Sequence, residues 1–360
     1  MNKERFINRR IAVTGACGTV GRELVRQITE AFAPDEILCI DNNESEMFFL
    51  EQHHSKAGNV TFFIADIRDK ARMVSLFKGI DVVFHTAAYK HVILCEHSPM
   101  EAAQTNIMGT GNIIEAALHC KVGKVIFTSS DKAVNPTNVM GTSKLMGERL
   151  ITAANSTQRS GKRTVFASTR FGNVLGSRGS VLPIFFRQIA QGGPLTLTDE
   201  RMTRFIMSIQ EAVRLVIDSE SLACGGEVFV TKMPVIRILD LAEVMIESLA
   251  QRFGYDPSSI SIRIIGSKPG EKLYEELMSE EEKARTMELE CYFSVIPAFL
   301  SMYEQIDYAY PDVAAASLSE TYTSKNQIPM TKKELSHFLA ENNLLIDQHG
   351  ANHPDQRYWP

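Results

Sequence analysis

Short apolar runs recur along the first half of the chain, and between them apolar residues return every three or four positions. Arg10 to Thr14 (RIAVT) is the first run, and Val20, Leu24, Val25, Ile28 and Phe32 follow it at helical spacing. Glu36 to Ile40, Val60 to Ala65, Asp81 to His85, Val125 to Ser129 and Thr164 to Thr169 repeat the run, and Met100 to His119 reads as an intervening helix. Strands alternating with helices at this repeat length predict an α/β protein with a Rossmann-like, doubly wound parallel sheet.

Beyond Arg170 the pattern loosens. The stretch FGNVLGSRGSVLPIFFRQIAQGGPLTLTDERMTRF is rich in glycine and turn residues, as a substrate-covering segment would be. Ile209 to Ser219 reads as a helix, Glu227 to Val230 as a short strand returning to the sheet, Ile238 to Phe253 as an amphipathic helix and Ile262 to Ile265 as a strand. A last helical segment, Lys332 to Asn343, precedes a polar tail containing Trp359. The expected division is a nucleotide-binding core over 1–172, completed by about 205–235. A smaller substrate-binding lobe takes 173–204 and 236–323, and a C-terminal helix and tail 324–360.

Composition narrows the class. With 360 residues, 44% of them hydrophobic and 22% charged, the chain has the material for a large core. The net charge of -5, without a long basic block, argues against nucleic acid as a partner. Cys17, Cys39, Cys95, Cys120, Cys224 and Cys291 form no Cys-x-x-Cys pair and have no neighbouring histidine cluster, so reduced thiols, a cytoplasmic location and no metal site are expected. No uninterrupted apolar run approaches the ~20 residues of a membrane span.

Candidate chemistry begins after the first strand, in Gly15-Ala16-Cys17-Gly18-Thr19-Val20-Gly21. Gly15 permits a tight turn, Gly18 lets backbone approach a pyrophosphate, Gly21 lets the helix pack on the strand, and the helix N-terminus faces the phosphates. Asp41, about twenty residues on, is placed to accept hydrogen bonds from a ribose, which favours NAD over NADP because a carboxylate repels a 2′-phosphate. Asp66-Ile67 is suited to cover the adenine, and Thr86-Ala87-Ala88 supplies small residues where the cofactor passes. The stretch FTSSDKAVNPTNVMGTSKLMGE ends a strand in small hydroxyls and continues into Asp131-Lys132. A helix then presents Met140 and Lys144 on one face, which gathers two lysines and a carboxylate around one small volume.

Further ordered motifs run from Ala87 to Leu277: AAYKHV, SPMEA, TNIMGTGN, SSDKAVNPTNVMGTSK, RFGNVLGSRGSVLP, MTRF and KPGEKLYEEL. With the glycine turn they resemble the extended short-chain dehydrogenase/reductase family, and within it the soluble short form of the nucleotide-sugar 4,6-dehydratases of bacterial polysaccharide biosynthesis. The resemblance implies a UDP-linked N-acetylglucosamine substrate, with GDP left open, and loss of water across C4 and C6 to a 4-keto-6-deoxy sugar. It also implies a tightly bound, recycled NAD and a homo-oligomer, for which the Met100 to His119 helix is the candidate interface.

The catalytic residues it implies are Ser130, Asp131, Lys132 and Lys144. Lys132 as a neutral amine takes the C5 proton, Asp131 as an acid protonates the departing C6 hydroxyl, and Lys144 binds the nicotinamide ribose and electrostatically lowers the barrier to removing the C4 hydroxyl proton. Asp131 and Lys132 must therefore move against reference values of about 3.9 and 10.4. Implied cofactor contacts are Gly15, Gly18, Thr19, Val20, Gly21, Asp41, Asp66, Ile67, Ala87, Ala88, Lys90, Asn106, Met140 and Lys144. Implied substrate contacts are Lys90, His91, Asn173, Val181, Thr198, Arg201 and Lys268, with Arg204 as an addition.

Two departures stand out. Met140 occupies the position where most of the family has tyrosine, and a thioether cannot deprotonate a hydroxyl. Ser130, a water or Asp131 is left to take the C4 hydroxyl proton, and Met140 reads as packing under nicotinamide or sugar. Ser130 itself stands where many relatives have threonine. A sugar-nucleotide 4-epimerase or reductase is a rival reading, opposed by the Asp131-Lys132 pair, and Met140 suggests a second rival, an inactive NAD-binding regulator.

Overall fold

The computed structural model describes residues 4–156, 158, 163–177, 180–266, 271–303, 306–311, 313–315 and 317–345. They fall into two units, one from 171 and below with 210–232 and 276–321, the other from 172–209, 233–275 and 322 onward.

The first unit is built on a nine-stranded sheet. β1 (Arg10–Thr14), β2 (Glu36–Asp41), β3 (Val60–Ile64), β4 (Val82–His85), β5 (Lys124–Ser130), β6 (Val165–Phe171) and β10 (Val228–Thr231) run parallel in the order β3-β2-β1-β4-β5-β6-β10. β4 and β10 are buried along their whole length, as expected of strands covered on both faces. The predicted strands all form, with ends shifted by a residue or two.

Helices α1 (Thr19–Ala31), α2 (Glu44–His53), α3 (Lys70–Leu76), α4 (Val92–His97), α5 (Pro99–Ala102), α6 (Thr110–Cys120), α7 (Val139–Ala154), α9 (Ile209–Leu222) and α11 (Glu280–Lys283) belong to this unit. Met73, Ile113, Ala117 and Ile151 pack from α3, α6 and α7 against Val83, Val125 and Phe127 of the sheet. The helix expected from Met100 to His119 has three parts, because α5 and α6 are joined by a π-helical turn over Ala103–Gly109.

Residues 276–321 pack in the first unit, unlike the boundary expected from sequence. β14 (Tyr292–Val295) pairs antiparallel with β10, and β13 (Thr286–Glu288) pairs with β14, so this segment extends the parallel sheet. In the second unit, β7 (Asn173–Val174), β9 (Thr203–Met207) and β11 (Val235–Arg237) form one small sheet, and β8 (Leu195–Leu197) and β12 (Ile262–Ile264) another. Leu182 and Phe185 of α8 (Val181–Ala190), Leu241 and Met245 of α10 (Ile238–Leu249), and Leu335 and Leu339 of α12 (Lys332–Glu341) fill its core. α12 thus belongs to this core rather than to a separate tail. No helix among the described residues is long and apolar enough to cross a membrane.

Candidate active site

The strand order reverses between β1 and β4, which opens a crevice at the carboxyl ends of the strands. Gly15 leaves β1 at φ +70°, and a Cβ there would lie 2.6 Å from the Ala87 amide nitrogen. Only glycine lets the loop after β1 lie against the loop after β4. A Cβ on Gly21 would stand 2.1 Å from the Gly15 carbonyl oxygen, so the expected close approach of α1 to the turn is present.

Gly15, Gly18, Asp41, Asp66, Ile67, Ala87 and Ala88 line a cavity of about 150 Å³. Thr19, Val20 and Gly21 form the first turn of α1; Gly18 is its N-cap, and that turn has no acidic residue and no side-chain cap, leaving its amides to an anion. The Asp41 carboxylate accepts hydrogen bonds from the Cys17 and Asn43 amides, each at 3.0 Å, and keeps lone pairs for ribose hydroxyls. Tyr89 and Thr105, for which the sequence suggested no role, also line the cavity, with Ile40, Asn42, Ala65 and Thr86. Thr105 Oγ1 is shielded and has no hydrogen-bond partner. Backbone cradle, carboxylate and orphan hydroxyl together fit the adenosine half of a dinucleotide.

The predicted catalytic residues gather at the tip of β5. Ser130 Oγ donates to Asp131 Oδ1 at 2.7 Å and accepts the Lys132 amide at 3.3 Å. Lys132 Nζ lies 3.1 Å from both Asp131 oxygens. α7 begins beside them, and a Cβ on Gly141 would stand 2.2 Å from the Lys132 carbonyl oxygen, so glycine is what allows the helix to start there. Lys144, one turn on, is buried and donates to the Thr128 carbonyl at 3.0 Å, with Nζ 4.7 Å above the Phe127 ring. Burial lowers the Lys144 amine to about 8, an effect that Glu148 partly opposes.

Met140 does not front the cavity. It is 3% exposed and packs with Cys95 and Ala102, flanked by Val92 and Val139. Its packing partners come from α4, α5 and α7 in the protein itself, whereas the expectation from sequence is packing under nicotinamide or sugar. Glu96 of α4 also accepts the Val139 amide at 2.7 Å, while Asn138 caps α7 through the Gly141 amide at 2.8 Å.

Asn106, expected as a cofactor contact, is an internal brace. Its Oδ1 accepts the Tyr89 amide at 2.8 Å, and its Nδ2 donates to the Tyr89 carbonyl at 3.0 Å and to Ser143 Oγ at 2.8 Å. The loop after β4, the π turn and α7 are tied together by this one side chain. Nearby, His85 is buried between Thr14 Oγ1 at 2.7 Å and Thr110 Oγ1 at 3.1 Å, and burial followed by the Lys144 charge holds it down at about 3. Lys90 and His91 are exposed at the start of α4.

The other expected substrate contacts lie in the second unit. Asn173 Nδ2 donates to Glu275 Oε1 at 2.6 Å, and the same carboxylate takes the Phe205 amide at 3.1 Å and faces Arg204 Nε at 3.3 Å. Arg204 also donates to the Thr203, Lys272 and Leu273 carbonyls, so its fork serves the fold of this unit. Arg201 is exposed and paired with Asp199 at 2.7 Å, Thr198 is half-buried beside Met202, and Val181 opens α8. Lys268 and Trp359 lie outside the described residues. Among the described residues, no group of three His, Cys, Asp or Glu side chains is placed to hold a metal ion.

The model of the family described as polysaccharide biosynthesis protein matches residues 11–297. An uncharacterized membrane protein of Methanocaldococcus jannaschii is 51% identical over 81% of this chain and 87% of that protein. A UDP-N-acetylglucosamine 4,6-dehydratase (inverting) of Campylobacter jejuni is 36% identical over 84% of this chain and 87% of its own length. A UDP-glucose 4-epimerase of Rickettsia typhi is 37% identical over 93% and 96%. Among solved structures, Pen from Bacillus thuringiensis superposes with a TM-score of 0.87 at 40% identity, covering 95% of this chain and all of that one.

Proposed function

The chain belongs to the polysaccharide biosynthesis protein family, within the extended short-chain dehydrogenases/reductases, and from that premise we propose that it is an NAD-dependent UDP-N-acetylglucosamine 4,6-dehydratase. The observation that carries this reading is the Asp131–Lys132 pair at the tip of β5. Its two groups are 3.1 Å apart, with Ser130 holding the carboxylate. NAD, held by the glycine turn, Asp41 and the Ala87-Ala88 wall, supplies the hydride acceptor and donor of the cycle.

The pair carries one proton between its two members. Moved from Lys132 to Asp131, that proton gives a neutral amine for C5 and a carboxylic acid for the C6 hydroxyl, the base and acid of an elimination. Burial of Asp131, whose side chain is 4% exposed, favours the neutral form of the pair.

A 4-epimerase is the second reading, favoured by the Rickettsia typhi relative. One experiment separates them: incubation with UDP-N-acetylglucosamine in deuterated water without added NAD, followed by proton NMR and mass spectrometry. A product lighter by one water, with deuterium at C5, is the expected result. A C4 epimer of unchanged mass, or an unchanged sugar with and without added NAD, would overturn it.

A further inference from the structure

We propose that the Lys144 side-chain amine is the base that takes the proton of the C4 hydroxyl while C4 is oxidised. The inference rests on the dehydratase reading and makes Lys144 the proton acceptor itself, beyond the ribose-binding and electrostatic roles expected from sequence. In the step, the O–H bond breaks and an N–H bond forms on Nζ. The C4 hydrogen leaves as hydride to the oxidised nicotinamide dinucleotide, and the C4–O bond becomes a carbonyl.

Three observations converge on it. The residue one turn before Lys144 is Met140, which has no ionisable proton and is packed in the α4 and α5 cluster. Ser130, Asp131 and Lys132 are engaged with one another, and in the neutral pair the proton on Asp131 is committed to the C6 hydroxyl and the lone pair on Lys132 to the C5 proton. A second proton delivered there would leave Lys132 charged and unable to act at C5, so the C4 proton needs another acceptor.

Lys144 meets that need. Its one hydrogen-bond acceptor among the described residues is the Thr128 carbonyl, and its other close neighbour is the face of Phe127. The neutral amine keeps an N–H on Thr128 and has a lone pair left for the incoming proton. The titratable groups that act on it are Glu148 of α7 and His85 of β4. His85 is neutral between two threonines, and Glu148 is bound by Arg170. The proton that Lys144 collects returns through solvent to Asp131, which lost one to the departing hydroxyl, so the cycle closes.

The test uses the full chain with its cofactor. First-turnover formation of reduced nicotinamide is followed by absorbance across about pH 7 to 9, and the Lys144 amine is titrated directly by NMR in protein labelled at the lysine ε-carbon. The expected results are a rate that rises through the titration of that amine, and a Lys144→Arg protein slower at C4 oxidation by about a hundredfold or more, because a guanidinium keeps the charge but accepts no proton. NAD affinity of K144R, read by calorimetry, is expected to change far less than the rate. A flat rate across that range, an amine that titrates at the ordinary lysine value, or K144R oxidation within about tenfold of wild type would each overturn the proposal. Should K144R fail to fold, the rate profile and the NMR titration decide alone. Wild-type protein that makes no 4-keto sugar would instead overturn the dehydratase reading.

Discussion

Along α7, Lys144 and Glu148 lie one turn apart and belong to two clusters of charge that differ in how fully their partners are supplied. Glu148 belongs to the closed one. The Arg170 guanidinium, fully buried on β6, binds Glu148 at 2.6 and 3.0 Å, Glu282 at 3.0 Å through both terminal nitrogens, and the Leu277 carbonyl at 2.8 Å. Burial alone would raise the Glu282 carboxyl, yet Arg170 draws it down to about 2. The open side holds Ser130, Asp131 and Lys132 at the tip of β5, where the Lys132 side chain is one-third exposed, and Lys144, which has a single hydrogen-bond acceptor among the described residues. Full pairing fixes α7, β6 and residues 277–282 to one another and removes their charges from proton traffic. Partial exposure at Lys132 and the single acceptor of Lys144 among the described residues leave groups that can still exchange protons with a substrate.

The sharpest way to break this contrast is to alter each cluster and read both activity and stability. In the open one, Asp131→Asn removes the acid while keeping shape, and Lys132→Met removes the base. Each is expected to lower the dehydration rate by about a thousandfold with unfolding in urea little changed. Retained turnover in either variant would remove the pair from the mechanism. In the closed cluster the expectation inverts. Arg170→Met leaves Glu148 and Glu282 buried without a counter-charge, and a loss of about 3–5 kcal/mol is expected by urea unfolding.

The same cluster has a pH signature. Glu282 has a folded value below its ordinary 4.5, so its contribution to stability is complete above about 4.5 and is lost as pH falls toward about 2. Acid unfolding of R170M should lack that limb, and an unchanged acid transition would show that the triad is not what holds Glu282 ionised.

How much of this could be read from sequence depends on distance along the chain. The glycine turn, Asp41 and the 130–144 stretch are local patterns, and β1, β2, β5 and α7 place them where the spacing said. Arg170 was visible only as the start of a motif, since its partners lie at Glu148 and Glu282 and no local signal links them. The π turn over AQTNIMG has no compositional mark, so the brace made by Asn106 and the placing of Thr105 in the cavity wall were hidden. β13 and β14 are short and separated by polar residues, and their apolar content resembles a loop until β10 offers an edge to pair with. Arg204 and Asn173, which the resemblance implies as substrate contacts, share the Glu275 carboxylate, a partner 71 and 102 residues further along that no local signal shows.

The smallest expected effect extends the contrast to neutral groups. Thr29, Thr110 and Thr142 each donate to the carbonyl four residues back in their helices, at 2.7 to 3.0 Å, while Thr105 on the π turn makes no such bond. Among the described residues, Thr105 Oγ1 is the shielded, unpartnered side-chain oxygen that stands in the wall of the nucleotide cavity. An orphan hydroxyl is a cost to the free protein and an opportunity for a ligand, so Thr105→Val should move the two in opposite directions. The valine protein is expected to bind NAD about fivefold more weakly by calorimetry and to be no less stable than wild type when unfolded without ligand. Thr105→Ser, which keeps the hydroxyl, should restore most of the affinity. If T105V binds NAD as wild type does, the hydroxyl faces no ligand; if it loses stability without ligand, Thr105 belongs with the threonines whose hydroxyls are satisfied within the protein.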